Sequence, residues 1–238
     1  MRTVKIILFV LLAIVFPAVV LKAQTADEIL EKHIAAIGGR DNWNKIHSIS
    51  MSGTLSAGGQ VADFSTTVVD GKAFRQDFTM MGVTGYKIIT PTAGWMFMPG
   101  AGDEQTRQLS KEEIYDAQPQ LSVKGNLIDY KSRGANVEYL GKEKTEGQDC
   151  YRLKITEKNG REERLYISTD NYYLVSALTH VMVNGHEIDV ATVYRGYEKQ
   201  PEGVLIATIV NTQGSSINFT RIDINKPVDE SIFKPVKK

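Results

Sequence analysis

Between residues 25 and 37 apolar side chains recur at helical spacing, so that Ala26, Ile29, Leu30, Ile34 and Ile37 share one face. Thr25 with Glu28 three positions on makes a capping-box pattern, which satisfies the first free N–H groups of a helix. Gly38-Gly39 offers the left-handed backbone that ends one, and Trp43 and Ile46 are placed to tuck beneath it. From residue 49 the apolar period falls to two, in runs at 49–55, 61–69, 73–80, 86–89 and 95–98. Gly58-Gly59, Asp70-Gly71, Gly82 and Thr92-Ala93-Gly94 separate the runs, and such short connections suit antiparallel hairpins because they supply positive φ cheaply. Parallel strands need long crossovers, which this half of the sequence lacks.

The rhythm breaks at 110–129. Ser110 and Glu113 form a second capping box ahead of Ile114, Tyr115 and Ala117, and Pro119 kinks or restarts the helix. Leu121, Val123, Leu127 and Ile128 give this insert apolar anchors, so it is expected to lie over the sheet as a helical lid. Strands resume at 137–143, 150–156, 163–167, 174–183, 187–197, 205–211 and 217–224, with Glu146-Gly147, Lys158-Asn159-Gly160, Thr169-Asp170-Asn171 and Asn184-Gly185 as turns. The fold class is mainly β: about twelve antiparallel strands and a few helices, with 24–238 read as one domain. A sheet this wide curls, closes or splits. A curled sheet has an inside, and the candidate lining is Met51, Leu55, Phe64, Phe74, Phe78, Met80, Trp95 and Phe97, with Leu121 and Leu127 from the lid. Met51, Met80, Met81, Met96 and Met98 all fall in the first half, and flexible thioethers suit a surface that repacks around variable apolar guests, as well as an ordinary core.

Composition narrows the function. The 238 residues are 42% hydrophobic and 24% charged, ordinary for a folded chain. Lys plus Arg and Asp plus Glu each total 28, a balance that gives nucleic acid no basic surface by composition. Arg2 and Lys5 lead an apolar run at 6–21 that ends in Leu21-Lys22-Ala23, the pattern of a secretory signal peptide over 1–23, cleaved after Ala23. The run carries Pro17 and is shorter than the roughly 20 residues of a membrane span. Its removal leaves 25 basic against 28 acidic residues, and the segment implies export to an oxidising compartment. The single cysteine, Cys150, excludes an internal disulfide and is expected to be buried and inert.

Candidate chemistry adds little. Of His33, His47, His180 and His186, only the last has acidic neighbours, and the zincin spacing fails because position 190 is Val. Gly100-Ala101-Gly102 lacks the Lys and Ser/Thr of a phosphate loop, and Gly214-Ser215-Ser216 lacks the nucleophile-elbow spacing. Lys142, Lys144, Arg152, Lys154, Arg161 and Arg164 interleave with acids, as on a solvated strand face. Neither a catalytic residue, a metal site nor a cofactor is assigned, and the chain is not read as an enzyme.

Gly94-Trp95-Met96-Phe97-Met98-Pro99 resembles the middle-strand signature of periplasmic lipoprotein carriers of the LolA/LolB type. Asn225-Lys226-Pro227-Val228-Asp229 ahead of Phe233 is similar to that superfamily's closing segment, and Ala26-Asp27-Glu28-Ile29-Leu30 with Ile37-Gly38-Gly39 to its opening. The resemblance implies a half-barrel of about eleven strands, closed by helices on its concave face, whose hollow holds acyl chains of lipoproteins or lipids. It also implies an inner-membrane donor and an outer-membrane acceptor, with the carrier acting as a monomer. At the turn where the prototype has a lid-latching arginine this chain reads Asp70-Gly71-Lys72, and lysine cannot copy an arginine's bidentate contacts. The expectation is a periplasmic carrier passing acyl chains toward the outer membrane. The alternative is a non-transporting envelope module that binds a protein or peptide with the same half-barrel.

Overall fold

The structure, a computed structural model, describes residues 25–99, 105–183 and 186–235, with backbone alone at 181–183 and 186–187. The expected signal segment 1–23, its cleavage point after Ala23, and the turns at 100–102 and 184–185 lie outside the described residues. Two helices open the described chain, α1 (Ala26–Ala36) and α2 (Arg40–Trp43). The capping box forms as the sequence predicts, with Glu28 N–H donating to the Thr25 hydroxyl at 3.2 Å and Thr25 N–H to the Glu28 carboxylate at 3.1 Å. At Gly38 (φ +115°) a Cβ would lie 2.4 Å from the Gly203 carbonyl oxygen, so only glycine lets the helix end dock there. Trp43 and Ile46 are buried beneath, the Trp43 indole N–H donating to the Ile37 carbonyl at 3.0 Å.

Six strands follow: β1 (Ser48–Ala57), β2 (Gln60–Val69), β3 (Ala73–Met80), β4 (Val83–Ile89), β5 (Gly94–Phe97) and β6 (Arg107–Gln108). After α3 (Lys111–Ala117) and a short 3-10 helix (Gln118–Leu121) come seven more: β7 (Asn136–Thr145), β8 (Gln148–Thr156), β9 (Glu162–Ser168), β10 (Leu174–Val183), β11 (His186–Lys199), β12 (Leu205–Thr212) and β13 (Ser215–Ile224). A second 3-10 helix (Glu230–Phe233) follows β13.

All thirteen strands form one antiparallel sheet in the order β6-β5-β4-β3-β2-β1-β13-β12-β11-β10-β9-β8-β7, not closed into a barrel. Every neighbour in the sheet is a neighbour in sequence except β1 and β13, which pair at the centre with Ile49 opposite Ile224. The free edges are therefore β6 and β7, the two strands joined by residues 109–135. A connection from one edge to the other has to cross a face of the sheet.

That crossing segment corrects the helical lid. Ser110 caps α3 with the expected box, but the helix stops at Ala117, Pro119 opens the 3-10 turn, and residues 123–134 run as successive turns. It is a strap with seven helical residues at one end.

Directly opposite residues in antiparallel strands share a face, which sorts the side chains. One row runs Ile222, Met51, Thr66, Gln76, Lys87 and Met96 from β13 to β5, on the face that the strap and α1 cover. Ile29, Leu30 and Ile34 of α1 pack there on Leu153, Ile155, Leu165 and Ile167 in the main core. Ile114, Ala117 and Leu121 of the strap pack on Phe74 and Ile89 in a second cluster. The opposite face of the first half carries a third cluster, in which Phe233 and Ile232 of the closing segment cover Ala73, Tyr86, Ile88, Trp95 and Phe97.

Candidate functional site

Between the strap and the middle of the sheet lies a cavity of about 490 Å³, within the usual range for a small-molecule pocket. Ile49 and Met51 of β1, Val68 of β2, Leu165 of β9 and Phe219 of β13 form its floor. Ile37 and Trp43 close one side, Leu205, Tyr194 and Tyr197 another, and Val123, Leu127 and Ile128 of the strap form the roof. The wall is apolar because the strand period places every second residue inward, and in this part of the sheet those residues are Ile, Met, Val, Leu and aromatic. A second hollow of about 560 Å³ adjoins it, sharing Pro119, Ser122, Gly125 and Asn126, and is polar, with Asp116, Arg133, Glu157, Lys158 and Arg161 around it.

The strap is tied down at several places, Arg133 with Glu157 at 2.9 Å among them. The Val123 N–H donates to the Asp70 carboxylate at 3.1 Å, and the Gly71 N–H to the Leu121 carbonyl at 2.8 Å. Farther along, the Tyr130 hydroxyl donates to the Asp27 carboxylate of α1 at 2.6 Å. That bond and the neighbouring Lys131 hold the Asp27 carboxyl below its usual range, and burial raises Tyr130 to about 12. So the turn at 70–72 holds the strap through the Asp70 carboxylate and the Gly71 backbone.

Five titratable side chains line the cavity, His33, Lys124, Glu163, Tyr194 and Tyr197, and two of them stand out. His33 of α1 is 3% exposed and lines the wall; burial lowers its pKa, against the hydrogen bond of 2.8 Å between Nδ1 and the Tyr172 carbonyl. Glu163 of β9 sits in the cross-strand row Ile155, Glu163, Thr179, and desolvation raises its carboxyl, with Arg161 opposing. Burial pushes the neighbouring Tyr194 phenol up to about 12, to which the charge of Glu163 adds. Nothing in composition marked Glu163. The available signal was its phase, in register with the inward Leu165 and Ile167 rather than with the charged Glu162 and Arg164.

The structure brings Met51 and Leu127 to the cavity wall. Phe64 lies next to it, its ring centroid 5.8 Å from that of the wall residue Phe219. Phe74 and Leu121 meet under α3 in the second cluster, away from the cavity. Leu55 and Phe78 share the strap-side face, Phe78 lying flat over Gly85, where a Cβ would come within 2.2 Å of its ring. Met80, at the strand end, is 38% exposed. Trp95 and Phe97 correct the reading: they oppose Ile88 and Tyr86 and belong to the cluster under Phe233, on the face away from the cavity.

Other readings find their places. Cys150 is fully buried and desolvation raises its thiol. His180 pairs with Asp189 across the β10–β11 hairpin, and among the described residues no cluster of three metal-ligating side chains occurs. Arg152 pairs with Glu143 at 2.7 Å, and Lys154 with Glu138 and Glu162 at 3.1 and 3.3 Å, so the outer face of the second half is neutralised locally. Among the described residues no helix is long and apolar enough to cross a membrane.

No family model and no curated protein matches the sequence. Solved structures do. A LolA superfamily protein from Nitrosomonas europaea is similar over 89% of this chain and 98% of its own, at 16% identity and TM-score 0.56. A domain from Vibrio parahaemolyticus described as an outer membrane lipoprotein-sorting protein covers 87% of this chain and 94% of its own, at 12% identity and TM-score 0.55. A DUF1329 family protein from Desulfovibrio piger covers 89% and 98%, at 14% identity and TM-score 0.51. At such identities it is the backbone that is shared, and the chain has the LolA-like half-barrel fold.

Proposed function

We propose that this protein is an exported amphiphile carrier that holds acyl chains of lipids or lipoproteins beneath its strap and passes them toward the outer membrane. The observation that carries the reading is the apolar space of about 490 Å³ between sheet and strap, lined by main-core residues such as Ile49, Leu165 and Leu127. Moving a chain of about sixteen carbons into water costs about 13 kcal/mol, at about 0.8 kcal/mol per methylene. A soluble hollow lined by Ile49, Met51, Leu165 and Leu127 offsets most of that cost along an aqueous route. Handover then needs only a small difference in affinity between donor, carrier and acceptor, and no bond is broken.

The strap supports entry without unfolding. Its roof residues hang from a few polar contacts at Asp70, Gly71, Tyr130 and Arg133, and lifting them leaves the sheet ladders intact. Native mass spectrometry of the chain, purified without detergent and incubated with lipid vesicles, tests the reading. Retained acylated molecules, displaced by added fatty acid, are the expected result; a chain that retains none at any lipid concentration overturns it.

A further inference from the structure

We propose that Glu163 makes the cavity selective for amphiphiles whose head carries a protonated amine, a refinement that rests on the carrier reading above. Glu163 is half-buried and accepts a hydrogen bond from the Thr179 hydroxyl, yet desolvation still penalises its charge, which a cation would offset. Glu163 faces the cavity between Ile155 and Thr179, in phase with the fully buried Leu165 and Ile167, and no described cation forms an ion pair with it.

The nearby cations are engaged or turned outward. Arg133 donates to the Glu157 carboxylate at 2.9 Å and to the Asn126 carbonyl. Lys124 of the strap, on the roof, pairs with Asp129 at 3.3 Å. Arg161 is exposed at the turn before β9. From the other elements, Thr179 of β10 offers a hydroxyl, Tyr194 of β11 a phenol, and Glu157 a second negative charge. His33, across the wall, is kept neutral by burial.

The missing partner is therefore a positive charge that arrives with the ligand. The surrounding wall fits an ammonium, since the rings of Tyr194 and Tyr197 flank the same space and electron-rich aromatic faces attract cations. The position fits a head as well. Glu163 lines the apolar cavity, while the charges it feels, Arg161, Glu157 and Arg133, line the adjoining polar hollow. A tail directed toward Ile37, Trp43 and Leu205 leaves its head at this border.

The test is isothermal titration calorimetry at neutral pH with a primary amine and an alcohol of equal chain length, against the wild-type protein and Glu163→Gln. The amine is expected to bind at least about tenfold more tightly than the alcohol to the wild type, the scale of a charge-assisted contact. Glu163→Gln should erase that gap, and alcohol binding that persists in the variant shows that it is folded. Equal affinities in the wild type, or a gap that survives the substitution, overturn the amine assignment and leave the carrier reading standing. Binding of neither compound overturns both.

Discussion

The two halves of the sheet use their faces differently. In β7–β11 one face packs on α1 and the strap, while the other is an alternation of paired charges such as Arg152 with Glu143 and Lys154 with Glu138. In β1–β6 both faces are covered, one by α3 and the 3-10 turn of the strap and the other by the closing segment with Phe233. A half with two covered faces needs twice the apolar side chains. The abundance of Trp, Phe and Met there reflects two cores, and the open space lies where the halves meet, beside β1, β13 and β9. Density of large apolar residues is thus a poor guide to a ligand site, because a residue that fills space is the opposite of one that leaves it.

The sharpest way to break this contrast is to place the same charge on each face. Trp95→Asp buries a carboxylate in the cluster under Phe233 and is expected to cost about 3–5 kcal/mol, read as a fall in the urea midpoint. Met51→Asp, at the wall of the open space, should leave the protein folded and abolish retention of acylated molecules. Loss of retention without unfolding in the Trp95 variant would reverse the assignment of the faces. Next in size is Asp70→Ala, which removes the acceptor of the Val123 N–H. It should cost about 1–2 kcal/mol and speed hydrogen exchange of residues 121–128 while α1 stays protected.

Acid separates α1 from the rest more gently. Burial depresses the pKa of His33, so its contribution is fully present above the ordinary value of 6.5 and is lost as pH falls from there to the folded value. Stability should drop by up to about 1.4 kcal/mol per pH unit in that interval, measured by urea unfolding, and His33→Gln should flatten the slope. The depressed carboxyls, Asp27 and Glu113 among them, titrate lower, whereas the raised carboxyl of Glu163 gains stability as pH falls and opposes the slope, so the difference between wild type and His33→Gln is the quantity to read. The smallest effect belongs to the outer face of the second half, where Arg152→Ala breaks an exposed ion pair and should change stability by about 0.5 kcal/mol or less.

Much of the backbone was legible because its signals are local. Both capping boxes formed as read, and the strand runs held to within a few residues, since alternation and turn chemistry act over short stretches. The short β6 has only two residues and gives no period to find. The strap misled because its apolar residues contact the sheet irregularly, so Leu121, Val123, Leu127 and Ile128 are spaced by what lies beneath them and not by a helix. Trp95 and Phe97 misled for a related reason. In a strand with both faces covered, Tyr86, Ile88 and Ile89 are all buried, and apolar alternation no longer says which side is inward. Legibility was lost wherever the second layer, rather than the strand, chose the side chain.

The pairing of β1 with β13 gives the molecule an order of assembly. Each remaining ladder is a hairpin that can zip as soon as its two strands exist, yet the central seam must wait until nearly the whole polypeptide has emerged. Before then the chain holds two separate wings with raw inner margins, the kind of partly built species that sticks to its neighbours. Such a distant closure predicts slow folding, and it makes the last strand the point at which both wings, the strap and the vacancy between them come into being together.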